Sequence, residues 1–366
     1  MNAKRANKAS RIAALAAVAV ACAAAWGAQA AADKGARDVL DTPAARSALA
    51  SRALLNGLAR AGDRIVAVGQ RGHIVYSDDA GKTWRQAEVP VSSDLVAVSF
   101  PTATDGWAVG HDGVVLHSKD GGQSWTTQLD GRRLGQLMFE YYSKSAAALT
   151  DDPKRAALLV EDAKRFQAQG AENPFLDVWF RDANNGYVVG AFGLVFRTAD
   201  GGATWEPLQH AVENPKGQHL YAVRGIGPDV YIAGEQGLLL KLAQGDTQFR
   251  ALELPYKGTL FGVTGSGQTV VAHGLRGTVL RSTDGGHQWQ QVPTGLQVGL
   301  TASTRDSDGR LVIVSQAGHI LASRDDGASF KPVPVAGTLP AAAVTVAANG
   351  TLVVAGPRGA QTLQLP

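Results

Sequence analysis

The acidic and aromatic residues that could do chemistry in this chain recur in one pattern, S-x-D-x-G-x-x-W. A repeated carboxylate could serve as a general acid or as a metal ligand. In a turn, however, an Asp side chain accepts hydrogen bonds from its own backbone N–H groups, and the Gly supplies a positive φ. We therefore predict a structural role for the Asp and aromatic residues of the five copies: Asp79 and Trp84, Asp120 and Trp125, Asp200 and Trp205, Asp284 and Trp289, and Asp325 and Phe330.

Other chemistries leave no signature in the sequence. The eight histidines show no paired ligand spacing, and there is one cysteine, Cys22. There is no phosphate-binding glycine loop, no G-x-S-x-G and no H-E-x-x-H. His73 and His319 occupy matching repeat positions, which favours a scaffold role. We expect neither a metal, nor a cofactor, nor catalysis.

The elements that position the Asp turns follow from a second repeat, G-x-x-G before an apolar run. Its closing glycines return about every 41 residues, with one longer interval. Seven copies at this period, each with several short strand-like runs, predict an all-β, seven-bladed β-propeller. The copies are Gly72, Gly113, Gly193, Gly237, Gly277, Gly318 and Gly359.

Residues 130–172 interrupt the strand pattern between blades two and three. Leu134, Leu137, Met138, Tyr141 and Tyr142 follow the spacing of an amphipathic helix. A second helix is predicted after an N-cap and proline at 152–153, ending near residue 170. The insertion is therefore a helical hairpin on the propeller, whose apolar stripe either packs on the blades or docks a partner helix.

The seventh repeat contains three strand-like runs and no fourth. A short run, Val39-Leu40-Asp41, precedes the first repeat. We predict that it supplies the missing outer strand by pairing with residues 361–365, because closure removes the free edges of an open sheet.

Propeller topology places all G-x-x-G turns and the hairpin on one face, with the Asp turns on the other. The two variable residues of each G-x-x-G turn differ in type from blade to blade, so together they predict an asymmetric partner-binding surface. Its candidate residues are Arg71, His111, Asp112, Phe192, Glu235, Arg276 and Arg358 on the turns, with Leu137, Met138 and Tyr141 on the hairpin.

The N-terminus has the order of a secretory signal peptide. Four basic residues precede an apolar run, and Ala28-Gln29-Ala30 is an A-x-A cleavage site. We predict a signal peptide over residues 1–30, a propeller over 31–366, and a periplasmic or secreted protein; the alternatives are an uncleaved N-terminal anchor and lipidation of Cys22. Loss of the four basic residues changes the formal net charge from +3 to −1, which argues against nucleic-acid binding.

The Asp turn resembles the bacterial neuraminidase repeat, or Asp box. Two longer stretches, VAVSFPTATDGWAVGHDGVVLHSKDGGQSW at 96–125 and FLDVWFRDANNGYVVGAFGLVFRTADGGATW at 175–205, resemble the photosystem II stability and assembly factor family of propellers. The resemblance covers about residues 52–330. It implies an exported, non-enzymatic, seven-bladed protein. In phototrophs such proteins bind an early photosystem II intermediate, partly through an arginine-rich surface.

Relatives in non-phototrophic bacteria look like accessory proteins encoded with transporters of the resistance–nodulation–division (RND) type. This sequence differs from the phototroph pattern in its helical insertion and in lacking a broad arginine patch. The resemblance thus implies a propeller that binds a membrane protein or complex, and we expect a monomer outside that complex.

Two alternatives belong to other functional classes. A sialidase-like glycoside hydrolase needs an arginine triad, a Tyr nucleophile and an acid/base carboxylate; its Arg-Ile-Pro motif is absent. A glycan-binding propeller needs aromatic residues at the mouth, where Phe192 is the one aromatic among the turn residues.

Overall fold

Residues 37–335 and 339–364 are described here from a computed structural model, and they form seven antiparallel sheets arranged as blades. The first strand of each blade contacts the first strand of the next, and that of blade 7 contacts that of blade 1. The first strands therefore form an inner ring. The predicted all-β, seven-bladed propeller, with its hairpin between blades 2 and 3, is confirmed.

The first three blades and the insertion run in chain order. Blade 1 comprises β1 (Leu55–Ala61), β2 (Arg64–Gly69), β3 (Ile74–Ser77) and β4 (Arg85–Gln86). Blade 2 comprises β5 (Leu95–Ser99), β6 (Gly106–Gly110), β7 (Val115–Ser118) and β8 (Thr126–Leu129). Helices α1 (Gly131–Leu149) and α2 (Pro153–Gln169) follow. Blade 3 comprises β9 (Phe175–Phe180), β10 (Gly186–Gly190), β11 (Val195–Thr198) and β12 (Glu206–Pro207).

The remaining four blades repeat the same meander. Blade 4 comprises β13 (Leu220–Ile226), β14 (Asp229–Gly234), β15 (Leu239–Leu242) and β16 (Arg250–Ala251). Blade 5 comprises β17 (Leu260–Ser266), β18 (Thr269–Gly274), β19 (Val279–Ser282) and β20 (Gln290–Gln291). Blade 6 comprises β21 (Leu300–Arg305), β22 (Leu311–Ser315), β23 (Ile320–Ser323) and β24 (Lys331–Pro332). Blade 7 comprises β25 (Ala343–Val346), β26 (Leu352–Gly356) and β27 (Gly359–Leu363).

The prediction that Val39–Asp41 completes blade 7 is wrong. This segment is a single 3₁₀ turn capped by the Asp38 carboxylate, and the carbonyl of Val39 accepts a hydrogen bond from the N–H of Ser92, beside blade 1. In the part of the chain that the structure describes, β27 pairs only with β26. The ring closes instead by packing, because Leu55 and Ala67 of blade 1 meet Ala343 and Ala355 of blade 7 in one buried cluster.

Each Asp turn is held by its own side chains. In blade 1 the Ser77 hydroxyl donates to the Asp79 carboxylate (2.8 Å) and accepts from the N–H of Gly81 (2.8 Å). The same carboxylate accepts from the N–H of Thr83 (2.8 Å) and from its hydroxyl (2.6 Å). These bonds, led by that of the Thr83 hydroxyl, lower the pKa of Asp79 to about 2. The carboxylates of Asp120, Asp200, Asp284 and Asp325 accept equivalent bonds.

The G-x-x-G turns of blades 1 to 5 have two consecutive left-handed residues, as in a type I′ hairpin turn. In blade 1 these are Arg71 (φ 56°, ψ 32°) and Gly72 (φ 70°), and the N–H of His73 donates to the carbonyl of Gln70. The equivalent non-glycine residues are Asp112, Phe192, Gln236 and Arg276. A Cβ on Gly72 would collide with the carbonyl of Val91, so the turn needs glycine there for two reasons.

The helical hairpin is part of the hydrophobic core. Met138 and Tyr142 of α1 and Phe166 of α2 are buried together with Phe175 and Trp205 of blade 3. Asp152 caps α2 as predicted from the sequence, and Asp130, at the start of the insertion, caps α1. Among the described helices, none is long and apolar enough to cross a membrane.

We predict that Ala80→Gly stabilises the protein. Ala80 occupies the first left-handed position of its Asp turn (φ 60°), where Asp turns of blades 2, 3 and 5 have glycine. A left-handed conformation costs an L-residue roughly 1 kcal/mol, which glycine avoids. The free energy of unfolding in urea should rise by about this amount.

The matched control is Gly121→Ala at the same position of blade 2. Gly121 has φ 68°, and its Cβ would lie 3.0 Å from the carbonyl oxygen of Ala103, so this change should lower the free energy of unfolding. Equal effects of the two substitutions would contradict the assignment of strain to Ala80.

Candidate functional site: the mouth of the central channel

The first strands of the seven blades surround a cavity of about 550 Å³. His111 and Gln316, which belong to G-x-x-G turns, line the same cavity. The cavity therefore opens towards the G-x-x-G face, where each first strand begins. This size lies within the range of about 300–1,000 Å³ that is typical of ligand pockets.

A β-bulge at the start of the first strand directs one side chain per blade into this mouth. In blades 1 to 6 the strand pairing skips the second residue of that strand. A bulge inserts a residue without a partner in the ladder and re-aims its side chain, and bulges are common next to active sites. The six bulge residues, all half-buried and all lining the cavity, are Asn56, Val96, Leu176, Tyr221, Phe261 and Thr301.

The bulge residues divide the mouth into a polar and an apolar part. Asn56 in blade 1 donates from Nδ2 to the carbonyl of Leu95 (2.9 Å), and Thr301 in blade 6 donates from Oγ1 to the carbonyl of Ala341 (2.6 Å). These two side chains thus connect their blades to the next. The bulge residues of blades 2 to 5 are aliphatic or aromatic, so this side of the mouth presents an apolar surface.

Aromatic rings extend from the apolar side of the mouth to the outer rim. Tyr221 and Phe261 are edge-to-face with centroids 5.5 Å apart, and His219 lies 6.4 Å from Tyr221. Phe192, 52% exposed, lies 4.7 Å from His219, whose Nδ1 accepts the N–H of Phe192 (2.8 Å). We call Phe192, His219, Tyr221 and Phe261 the aromatic crescent.

On the channel wall below the crescent, the buried carboxylate of Asp177 pairs with the exposed guanidinium of Arg224. Burial raises the pKa of Asp177, and its partner Arg224 opposes this shift. The carboxylate also accepts the N–H of Val223 (2.8 Å). The Arg224 side chain is 44% exposed, and only its Nη1 atom bonds to the residues described. The guanidinium therefore offers its remaining N–H groups to the cavity.

His273 in the same wall is buried and neutral. Its Nδ1 lies 3.0 Å from the carbonyl of Leu300 and therefore carries the proton, and its Nε2 lies 3.0 Å from the Ser303 hydroxyl and accepts from it. Burial, the largest cause, lowers its pKa to about 4. In the described ranges no group of three His, Cys, Asp or Glu side chains could hold a metal ion.

The turn residues predicted from the sequence are only partly free for a partner. Arg71, Phe192, Arg276 and Arg358 are exposed, and the three guanidiniums form no ion pair with a described residue. His111 is exposed and lines the cavity. Asp112 is half-buried beside α1, where its carbonyl lies close to Gly131. The carboxylate of Glu235 accepts the N–H of His219 (2.9 Å) and so holds the connection between blades.

The predicted apolar stripe on the hairpin packs on the propeller rather than facing solvent. Met138 is 1% exposed, and Leu137 and Tyr141 are partly buried. The Tyr141 hydroxyl donates to the Glu206 carboxylate of β12 (2.9 Å). Of the two alternatives for this stripe, the contacts agree with packing, and Met138 cannot contact a partner in this arrangement.

Sequence reasoning missed the bulge residues, the Asp177–Arg224 pair and every member of the crescent except Phe192. A signal did exist for the bulges. In five of the six aligned repeats the bulge residue follows Leu and precedes Gly or Ala, whereas the bulge residue itself differs each time (Leu-Asn-Gly, Leu-Val-Ala, Leu-Tyr-Ala, Leu-Phe-Gly, Leu-Thr-Ala); blade 3 has Phe-Leu-Asp. A variable position inside an otherwise uniform strand indicates a side chain that the scaffold does not dictate.

The fold and its turns define an Asp-box β-propeller whose channel mouth carries a different side chain on every blade. The family described as "Photosynthesis system II assembly factor YCF48" matches residues 51–138 and 160–329. The chain belongs to this family, as its sequence repeats suggested.

Individual relatives match more narrowly. The photosystem II assembly lipoprotein Ycf48 of Synechococcus sp. (strain CC9902) is 29% identical over 163 residues, which cover 43% of this chain and 47% of that protein. The chain thus spans about half the length of the curated relatives it matches. Two solved structures share the fold: "YCF48 bound to D1 peptide" (TM-score 0.61, 16% identity, 85% of this chain and 92% of that one) and a streptogramin B lyase (TM-score 0.62, 14% identity, 86% and 95%).

We predict that His273 makes stability fall as the pH drops from 6.5 towards 4. Across this window the unfolded state binds a proton that the native histidine does not, so the contribution is complete above pH 6.5. The shift corresponds to a loss of about 3 kcal/mol by pH 4. His273→Asn, whose amide can still donate to the carbonyl of Leu300, should show a shallower dependence in urea unfolding at pH 7.5, 5.5 and 4.5.

Burial also lowers the pKa of His73, His117 and His210, so some pH dependence should persist in this variant. The difference between the two slopes isolates His273. Parallel curves for wild type and variant would contradict the prediction.

Proposed function

We propose that this protein is an exported, non-enzymatic propeller that binds protein partners through its G-x-x-G face and assists the assembly or function of a membrane complex. The observation that carries the proposal is the mouth itself, where seven blades of one repeat present seven different sets of side chains. On the opposite face, five of the seven blades share the same Asp turn, which is a structural motif. The G-x-x-G turns carry a different pair of variable residues on each blade, and recognition of an asymmetric partner requires such variation.

The family supports an assembly role. One relative is named a photosystem II assembly lipoprotein, and one of the solved structures with the same fold is YCF48 bound to a D1 peptide. The exposed turn arginines of this chain are Arg71 and Arg358 on adjacent blades and Arg276 on blade 5, which does not form a broad arginine patch. We therefore favour a membrane complex other than a photosystem, such as an RND-type transporter.

Hydrolysis is the rival function, since some propellers with this fold are enzymes. Glycoside hydrolysis generally uses two carboxyl groups about 5–10 Å apart. Within the described part of the chain, Asp177 is the one carboxylate lining the cavity, and it is bonded to Arg224 and Val223. This arrangement favours binding over catalysis.

Export and the monomeric state are parts of the same proposal. The signal peptide predicted for residues 1–30 and the alternative lipid site at Cys22 lie outside the described residues. Localisation by fractionation, with and without residues 1–30, tests the export step independently of binding.

We predict that Arg71→Glu with Arg358→Glu abolishes recovery of the membrane partner. Two exposed guanidiniums, which can pair with carboxylates bidentately, become like charges that repel them. The measurement is affinity purification of the full chain from detergent-solubilised membranes of its own organism, with the recovered protein quantified. A loss of at least about tenfold is expected for a central charged contact.

The matched control makes the same charge change on the opposite face, with Lys82→Glu and Lys119→Glu on the exposed Asp turns. It should recover the partner at wild-type levels. Deleting the hairpin is unsuitable, because Met138, Tyr142 and Phe166 belong to the core. If the control variant loses the partner and the arginine variant still recovers it, the partner binds the Asp-turn face and the proposal is overturned.

A further inference from the structure

The aromatic crescent, together with Arg224, defines the chemistry of the partner segment, on the basis of the proposed function. We infer that the channel mouth anchors an extended segment of a partner polypeptide. One aromatic or branched apolar side chain of that segment enters the mouth beside Tyr221 and Phe261, and a neighbouring carboxylate binds Arg224.

The geometry of the rings favours a side chain over a sugar. A sugar ring stacks flat on an exposed aromatic face. The crescent instead has interplanar angles of 80°, 87° and 77° between successive rings, and Tyr221 and Phe261 are half-buried. Rings packed edge-to-face leave edges and clefts, which suit another aromatic or aliphatic group.

The backbone around the mouth favours an extended polypeptide. The first strand is the inner edge strand of every blade, and edge strands carry unpaired N–H and C=O groups. Tyr221 and Phe261 are also bulge residues without a partner in their own ladders. An extended segment can use such groups through its main chain, as in strand addition.

Two features indicate that the apolar side of the mouth has been shaped for binding. Asn56 and Thr301 bond to a neighbouring blade, whereas the side chains of Tyr221 and Phe261 form no such bond with any residue that the structure describes. At the outer end, Phe192 occupies the left-handed turn position (φ 54°) that polar residues occupy in blades 1, 2, 4 and 5, and its side chain is 52% exposed. Its N–H donates to Nδ1 of His219, which fixes this turn beside the next ring of the crescent.

Arg224 provides a positive charge that can bind a carboxylate of the partner segment. Arg224 lines the cavity and keeps part of its guanidinium free of the described residues. Asp177 neutralises one side of that group, while the other side can receive a carboxylate with a planar two-point contact. An apolar side chain close to Asp or Glu is therefore the expected pattern.

The test is selection from a phage library of random 12-residue peptides on the immobilised full chain, followed by fluorescence anisotropy with the selected peptides. The inference expects peptides that carry Phe, Tyr, Trp, Leu or Ile within two residues of Asp or Glu. Tyr221→Ser with Phe261→Ser should weaken their binding at least tenfold, a loss typical of aromatic hot spots. Tyr221→Phe, which keeps the ring, should bind within twofold of wild type.

Three controls make the result decisive. Arg224→Lys keeps a charge for Asp177 but removes the planar guanidinium, so it should abolish the acidic preference. Leu158→Ser, at a side chain of α2 that is 52% exposed, should change nothing. Thermal unfolding checks that each variant is folded. The inference is overturned if the library yields no binders, if the double serine variant binds within twofold of wild type, or if chitohexaose displaces the peptides.

The membrane purification separates this inference from the proposed function. One outcome is that the double serine variant at Tyr221 and Phe261 recovers the partner normally while the double glutamate variant at Arg71 and Arg358 does not. The G-x-x-G turns then bind the partner without the crescent, and the inference fails. If neither variant changes recovery, the proposed function itself fails, whatever the peptides show.

Discussion

The packing of each blade on the next depends on the glycine that closes the G-x-x-G turn. A Cβ on Gly72 would collide with the carbonyl of Val91, and one on Gly237 would collide with the carbonyl of Tyr256. Equivalent contacts occur at Gly277 with Leu296 and at Gly359 with Ser51. At these turns the connection to the next blade crosses directly over the glycine, so a side chain there would displace the segment that leads into the first strand of that blade.

Once the scaffold is fixed in this way, bulges can vary the surface without disturbing it. A bulge moves one residue out of the ladder while its neighbours remain paired, so packing against a partner strand does not restrict the side chain at that position. Asn56 and Thr301 use this freedom to bond the next blade. The side chains of Tyr221 and Phe261 remain available for a ligand. The bulge position thus stabilises the contact between blades in blades 1 and 6 and serves recognition in blades 4 and 5.

The sequence predicted those features that rest on local chemistry. The Asp turns and the N-cap at Asp152 depend on residues within four positions of each other, and the repeat period determined the number of blades. The ends of the chain were different. Val39–Asp41 is too short to show a periodicity that distinguishes a strand from a turn. The Asp38 carboxylate accepts the N–H of Leu40 and thereby favours the turn, which the two apolar residues Val39 and Leu40 do not indicate. The crescent joins residues of three blades, and no spacing in one sequence reports that His219 lies beside Phe192.

The hairpin illustrates how an insertion becomes part of the core. In blades 1, 2 and 5 the indole N–H of the Asp-turn tryptophan donates to the glycine carbonyl of its own turn, as Trp84 does to Gly81 (3.1 Å). The indole N–H of Trp205 in blade 3 finds no partner among the residues described, although it is buried. Trp205 packs instead in the cluster that contains Met138 and Phe166. An unpaired buried donor costs about 1–3 kcal/mol, and burying large apolar side chains offsets such a cost. The hairpin therefore buttresses blade 3, and any partner that contacts it must use the outer faces of its helices.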